Sequence, residues 1–153
     1  HILRIIREIL NFEPKGKGTS IEDGLVYLNK VIKKKAILFL LSDFITEDFS
    51  MSLKVAAQKH DLIAVKIQDT REKSLPASGV FVLRDPETGE EFYVDFSSKD
   101  TRIRFIEDLR RDENRMQDLF KKYDVDYICI DREEEYEKPL FDFFLQRKKK
   151  YSR

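Results

Sequence analysis

The residues best suited to chemistry are a hydroxyl in a glycine-flanked turn and a carboxylate that follows an apolar run. Thr19 lies in "GKGTSIEDGL" (16–25), and Asp43 follows "AILFLLS" (36–42). Hydroxyl and carboxylate oxygens are ligands of hard cations such as Mg²⁺ and Mn²⁺, which often keep several waters. One helix and one strand separate the two residues, which is the crossover length that returns a chain to the same edge of a parallel sheet. The sequence therefore predicts that Thr19 and Asp43 supply part of a metal site.

The same turn has two other interpretations. A Walker phosphate loop requires G-x-x-x-x-G-K-[ST] after a strand, whereas this turn has the order Lys17-Gly18-Thr19 and follows a helix-like segment. A dinucleotide fingerprint also fails, because Ile21 occupies the position of its third glycine. A helix cap explains this turn better than either phosphate-binding motif, since Thr19 and Glu22 have the spacing of a capping box. That interpretation leaves both glycines and Lys17 unexplained.

An enzyme is the second class of function to weigh. Three predicted core strands each end at an aspartate, Asp43, Asp69 or Asp131, but Asp is frequent at such ends because it stabilises turns and helix caps. Asp43 could act as a nucleophile or metal-binding acid in phosphoryl transfer, yet the sequence offers no serine elbow, no Cys/His pair and no second acidic residue two positions later. His60 lies at a predicted helix end, where a contact with the helix dipole explains it. We therefore expect a protein that is not an enzyme.

The elements that position these residues alternate between helical and strand patterns. Short apolar runs predict core strands over 36–41, 62–67 and 125–130, the first of them buried on both faces. Two alternating runs around a Pro/Gly turn predict a β-hairpin inserted at about 79–96. Apolar residues at helical spacing predict helices over 2–10, 20–34, 48–60, 100–123 and 139–150. Together they predict a single α/β domain over 1–153, Rossmann-like and doubly wound, with a mostly parallel sheet.

Charge and composition narrow the classes of partner. The 153 residues include 29 basic and 29 acidic side chains, so no global field attracts nucleic acid, and we expect no nucleic-acid partner. The basic run at 147–150 is interpreted as a solvated helix end. Cys129 is the single cysteine, which excludes an internal disulfide and suits a reducing compartment. No apolar run approaches the length that spans a bilayer, so we expect a cytoplasmic location.

Several segments in this order carry a resemblance to a known family: "GKGTSIEDGLVYLN", "KKKAILFLLSDF", "AAQKHDLIAVKIQDTREKSLP" and "DPETGEEFYVDFSS". The chain resembles the second half of a von Willebrand factor A-like domain, of the bacterial family of unknown function whose members accompany MoxR-type AAA+ ATPases. The resemblance implies a metal-ion-dependent adhesion site in which Thr19 and Asp43 bind Mg²⁺ or Mn²⁺. It implies a non-enzymatic protein-interaction module that works with a MoxR-like ATPase in assembling or remodelling protein complexes. We expect Lys17, Phe44 and Asp69 to contact the partner at the same rim.

The chain also departs from the family's pattern. The adhesion site needs an Asp-x-Ser-x-Ser loop, which this sequence lacks, since "DFSSK" (95–99) lies at the hairpin exit. We therefore expect an amino-terminally incomplete domain whose metal site is incomplete. The strand at 36–41 would then be an unprotected edge, so we expect either a second copy or the missing chain to pair along it. The alternative hypothesis is a metal-free scaffold, in which Thr19 only caps its helix and Asp43 only stabilises a turn.

Overall fold

A computed structural model describes residues 1–13, 19–69, 78–84, 89–131 and 136–151. The helices in these ranges are α1 (Ile2–Leu10), α2 (Ile21–Val31), α3 (Ser50–Lys59), α4 (Lys99–Lys122) and α5 (Glu137–Tyr151). The strands are β1 (Ile37–Ser42), β2 (Asp61–Gln68), β3 (Val80–Arg84), β4 (Glu91–Asp95) and β5 (Asp126–Asp131).

Within the described residues, β1, β2 and β5 form a parallel sheet with β2 in the centre. The register pairs Leu38 with Leu62 and Ala64 with Tyr127. β3 and β4 form a separate antiparallel pair, which agrees with the predicted hairpin, although its turn at 85–88 lies outside the described residues. The predicted α/β class, with a mostly parallel sheet and an added hairpin, is confirmed.

Helices cover both faces of the sheet, which is the doubly wound arrangement. On one face, α2, α3 and the carboxyl-terminal part of α4 pack on β1 and β2 through the core residues Leu25, Leu38, Leu53, Leu62 and Phe120. On the other face, Leu140 and Phe143 of α5 pack on Ile63, Val65, Ile128 and Ile130. β2 is the strand that is buried on both faces, because it lies between two neighbours and under helices on each side.

The expectation that the first strand is buried on both faces is wrong. β1 lies at the edge of the described sheet, and Ile37, Phe39 and Leu41 on one of its faces are each at least half exposed. Only the opposite face of β1, through Leu38 and Leu40, packs on the main core. α1 forms as predicted but buries none of its side chains. Pairing of a second copy along β1 stays a prediction.

Arg147 of α5 forms ion pairs at the amino ends of two strands. Arg147 forms ion pairs with Asp61 at the start of β2 and, at 3.4 Å, with Asp126 at the start of β5. Its side chain is only 11% exposed. The basic run at 147–150 therefore begins with a buried structural residue rather than a solvated one.

Candidate functional site

The carboxyl ends of the parallel strands meet at one edge, called the rim below. Ser42, the last residue of β1, pairs in register with Lys66 of β2, and Gln68 pairs with Asp131 of β5. Asp43 and Asp69 each follow one of these strands directly. The topology therefore brings the three predicted strand-end aspartates to the same side of the sheet, where ligands collect in open α/β sheets.

Asp43 begins the loop that leads from β1 to α3, residues 43–49, which we call the rim loop. Its Oδ1 accepts hydrogen bonds from the backbone N–H of Ile45 (3.1 Å) and from the Ser42 hydroxyl (3.3 Å). The Ser42 hydroxyl oxygen in turn accepts the backbone N–H of Phe44 at 3.0 Å. These short-range hydrogen bonds hold an exposed carboxylate at the start of the loop, as Asp side chains commonly do in turns.

A hydrogen bond connects the rim loop to the residue that precedes α2. The Thr46 hydroxyl donates to the backbone carbonyl oxygen of Thr19 at 3.1 Å. This hydrogen bond thereby connects the segments that carry Thr19 and Asp43 at the rim. Sequence reasoning missed Thr46, because no local pattern indicates a contact between side chain and backbone over this separation.

The capping interpretation of Thr19 is wrong by one residue. Ser20 is the N-cap of α2, with an extended backbone, and its hydroxyl accepts the backbone N–H of Asp23 at 3.1 Å. Glu22 does not complete a capping box, because its carboxylate instead accepts the hydroxyl of Ser52 on α3 at 2.5 Å. The helix cap therefore does not use the side chain of Thr19, which is exposed.

Phe44 anchors the rim loop to the core. Its backbone adopts the left-handed conformation, with φ of 62°. Its ring stacks on Phe49 at 6.2 Å and meets Phe120 of α4 edge-on at 5.2 Å between centroids. The neighbouring Ile45 is 70% exposed. The structure thus gives Phe44 a packing role, and a contact between Phe44 and a partner stays a prediction.

Of the two remaining residues predicted to contact a partner, the structure describes Asp69 but not Lys17. Lys17 lies outside the described residues, as do both glycines that flank it. Asp69 is half-buried and takes part in an interaction within the protein. Neither observation tests a role in partner binding.

The donors at the rim fit a hard cation in type but not in number. Thr19 and Asp43 offer hydroxyl and carboxylate oxygens, which suit Mg²⁺ or Mn²⁺. In the described part of the chain, however, no three His, Cys, Asp or Glu side chains are grouped so that they could hold a metal ion. From the described residues alone, a cation here would receive only part of its coordination shell.

A cleft of about 1140 Å³ opens beside Asp43. It lies between the rim loop, the end of β2 and residues 106–123, which comprise most of α4 and the residue that follows it. On β2, Lys66 forms an ion pair with Glu113 of α4 at 3.8 Å, and Gln117 donates to Glu113 at 3.4 Å. Gln68 also lines the cleft. The sequence did not predict this cleft, because its walls come from segments that only the tertiary fold brings together.

His60 lies at the opposite edge of the sheet from the rim. It is the C-cap of α3 and directly precedes β2, it is 4% exposed, and its Nδ1 accepts the backbone N–H of Ala36 at 3.3 Å. Burial, with a smaller effect from the Lys59 charge, lowers the pKa of His60 below its ordinary value. The predicted position at a helix end is confirmed, and because the lowered pKa favours the neutral ring, the contact with the helix dipole stays a prediction.

The fold and the rim define an α/β protein with a mostly parallel sheet and a separate antiparallel hairpin. Residues 1–115 match the family described as "Protein of unknown function DUF58", and the chain belongs to this family.

The relatives found are themselves uncharacterised, and none indicates an enzymatic activity. An uncharacterised protein of Mycobacterium avium is 28% identical over 90 residues, which cover 57% of this chain and 53% of that protein. Uncharacterised proteins of Mycobacterium bovis and Mycobacterium tuberculosis are 27% identical over 90 residues, covering 57% of this chain and 28% of each relative. The match thus spans about half or less of these relatives. No solved structure matches the chain significantly. Among the helices described, none is long and apolar enough to cross a membrane.

Proposed function

We propose that the chain is a non-enzymatic protein-interaction module whose binding surface is the rim around Thr19, Asp43 and the rim loop. The observation that carries this proposal is the hydrogen bond from Thr46 to the carbonyl oxygen of Thr19. It joins two segments that approach the rim from different elements. The exposed Asp43 and Ile45 then present a carboxylate and an apolar side chain side by side on one loop.

The mode of binding that we propose involves a divalent cation. The hydroxyl of Thr19 and the carboxylate of Asp43 would hold Mg²⁺ or Mn²⁺ together with waters, and a carboxylate of the partner would complete the coordination. The cation would supply a charge bridge between two acidic groups rather than a reactive centre. Among the described residues, no group of three acidic, His or Cys side chains could hold the ion alone, so the proposal assigns the remaining ligands to waters and the partner.

The partner that we propose is a MoxR-like AAA+ ATPase, in the cytoplasm, with a role in assembling or remodelling protein complexes. This part of the proposal depends on the resemblance of residues 16–43 and the segments that follow. The family match over residues 1–115 supports membership of the family and leaves the partner open.

A binding measurement with purified proteins tests the proposal. The chain is immobilised, and binding of a MoxR-like ATPase is followed in Mg²⁺ and in EDTA. Asp43→Ala and Thr19→Val should each weaken binding by at least about tenfold in Mg²⁺. Asp95→Ala serves as the matched control, because Asp95 also accepts the backbone N–H of the residue two positions later but lies in the hairpin. Absence of binding by the unaltered chain overturns the proposed partner.

A metal-free scaffold is the second candidate, favoured by the hydrogen bonds that already occupy Oδ1 of Asp43. It predicts binding of the same ATPase that is equal in Mg²⁺ and EDTA and that survives Asp43→Ala. Ile45→Asp tests whether the rim loop is the binding surface in that case. Loss of binding in this variant would mean that the ATPase contacts the rim loop, and unchanged binding would mean that it contacts a different surface.

A further inference from the structure

The helix α1 presents an apolar side that no part of the described chain covers. Those of its apolar side chains share about half of its circumference, and Arg4 and Glu8 form an ion pair of 2.8 Å on the opposite side. An isolated helix of nine residues is marginal in water, so α1 needs a surface on which to pack. The apolar side chains at positions 2–12, each between 47% and 81% exposed, are Ile2, Leu3, Ile5, Ile6, Ile9, Leu10 and Phe12.

A groove of matching character lies between β1 and α5. In a doubly wound sheet helices cover both faces of the strands, but within the described residues no helix lies over the α5 side of β1. Phe39 of β1 and Phe144 of α5 meet edge-on at 6.3 Å between ring centroids, so their two rows of side chains border one groove. The apolar residues of these rows, each at least 42% exposed, are Ile37, Phe39, Leu41, Phe141, Phe144 and Leu145.

The groove and α1 agree in length, and together they are large enough for a stable interface. From Ile37 to Leu41 the strand extends about 13 Å, and the nine residues of α1 extend about 13 Å as well. If each exposed side chain of the two sets loses about 50–100 Å² of surface, one copy of the chain contributes about 650–1,300 Å². This range includes the roughly 800 Å² that each partner contributes to an interface of standard size.

We propose that two copies of the chain form a symmetric dimer in which α1 of each copy packs in the groove between β1 and α5 of the other. One chain carries both complementary surfaces, so a single two-fold arrangement buries both helices and both grooves. A second copy is the favoured occupant because α1 buries none of its side chains against its own chain. The contact uses side chains on one face of β1, and it therefore differs from hydrogen-bonded pairing along the edge of that strand.

A lipid surface is the competing occupant for α1. Amphipathic helices bind anionic membranes through their apolar side together with clusters of basic residues. The charged residues of α1 are Arg4, Arg7 and Glu8, so its net charge is small, and Glu8 already pairs with Arg4. A membrane would also leave the groove uncovered. A monomeric chain that sediments with vesicles of phosphatidylglycerol and phosphatidylcholine would overturn the dimer.

Sedimentation velocity over a range of micromolar concentrations tests the dimer and the part of α1 in it. The unaltered chain should sediment as a dimer, and Ile6→Gln should weaken dimerisation by at least about tenfold, because the symmetric contact loses this side chain twice. Arg4→Gln is the matched control, since Arg4 lies on the polar side of the same helix, and it should keep the dimer. A monomer at all concentrations, or equal losses in both variants, would overturn the proposal.

A second pair of variants tests the groove. Leu41→Gln should weaken dimerisation by about as much as Ile6→Gln does. Val55→Gln is its control, because Val55 is also exposed but lies on α3, which packs on the other face of the sheet. Both side chains are at least 49% exposed, so the variants should keep the circular dichroism spectrum of the unaltered chain. A folded Leu41→Gln protein that dimerises normally would exclude the groove.

Chemical cross-linking distinguishes a second copy from the same chain as the source of the helix. In a Cys129→Ser background, Ile6→Cys and Leu41→Cys proteins are treated with a short bismaleimide, alone and mixed. A covalent dimer should form in the mixture and not in either protein alone. A protein with both cysteines should likewise yield a covalent dimer. A link that closes within one monomeric chain would place α1 in its own groove and would overturn the proposal.

Discussion

The hydroxyl of Thr46 donates to the backbone carbonyl oxygen of Thr19 at 3.1 Å, across 27 residues of sequence. This hydrogen bond holds the loop after β1 against the residue that precedes the cap of α2. Since it uses the backbone of Thr19, the hydroxyl of Thr19 is not involved in it. The proposed rim surface depends on this connection more than on any other contact.

Removal of this hydrogen bond should loosen the rim loop without unfolding the protein. Thr46→Val keeps the shape of the side chain and removes the donor, and we expect a loss of about 0.5–1.5 kcal/mol in the free energy of unfolding. Amide hydrogen exchange of residues 43–49 should accelerate, while the amides of β2 should not change. Thr101→Val, in the first turn of α4, is the control. Unchanged exchange of the rim loop in Thr46→Val would contradict the role given to this bond.

The left-handed backbone of Phe44 predicts an unusual order of stability among its variants. Phe44→Ala loses the contacts with Phe49 and Phe120 and keeps the unfavourable backbone, so we expect a loss of about 2–4 kcal/mol. Phe44→Gly loses the same contacts but relieves the left-handed strain, which costs about 1–2 kcal/mol for a residue with a Cβ atom.

Urea unfolding should therefore find Phe44→Gly more stable than Phe44→Ala, although glycine usually destabilises relative to alanine. The comparison serves as its own control, because both variants remove the ring. A lower stability for Phe44→Gly would indicate that the loop does not hold Phe44 at positive φ in solution.

Arg147 should contribute far more to stability than its neighbours in the same basic run. Arg147→Met leaves Asp61 and Asp126 without their shared partner, and breaking a buried ion pair on one side typically costs about 3–5 kcal/mol. We expect about 2–4 kcal/mol, because both carboxylates remain partly exposed. Lys148→Met, on the exposed side of α5, should change the free energy of unfolding by less than about 0.5 kcal/mol. Similar effects of the two substitutions would contradict a stabilising role for the ion pairs between Arg147 and the two strands.

The neutral, buried His60 predicts a specific dependence of stability on pH. Its folded pKa lies below the ordinary value of 6.5, so the unfolded chain binds the proton more readily than the folded protein. Stability from this group is complete above pH 6.5 and is lost as the pH falls from there through the folded pKa. Urea midpoints measured from pH 7.5 to 5 should decline less steeply in His60→Gln than in the unaltered chain. Parallel pH profiles would contradict this account.

The pattern of the sequence was sufficient for the order of the elements but not for their tertiary contacts. The mostly apolar run at 62–67 and the alternating runs around 85–88 each predict their strands, because a largely apolar short run and a period of two are both typical of strands. Neighbouring hydroxyls at Thr19 and Ser20 made the cap ambiguous by one residue, and only the backbone conformation of Ser20 decides it.

Other features of the site could not be predicted because they depend on long-range packing. Thr46 and Arg147 have no distinctive local spacing, and their roles arise from partners on other elements. The edge position of β1 is also a property of the sheet rather than of the strand, since its apolar run resembles that of a central strand. The assignments of Thr19 and Asp43 to a metal site, and of Lys17, Phe44 and Asp69 to a partner, stay predictions.

The measurement that tests the central claim most directly is a double-mutant cycle on Mn²⁺ affinity, followed by electron paramagnetic resonance. Acetate in excess stands in for the carboxylate of the partner, and the proteins compared are the unaltered chain, Thr19→Val, Asp43→Ala and the double variant. If both side chains hold one ion, each single substitution weakens binding by at least about tenfold, and the double variant is little weaker than Asp43→Ala alone. Effects that simply add, or Mn²⁺ binding that neither substitution alters, would contradict a shared site at the rim.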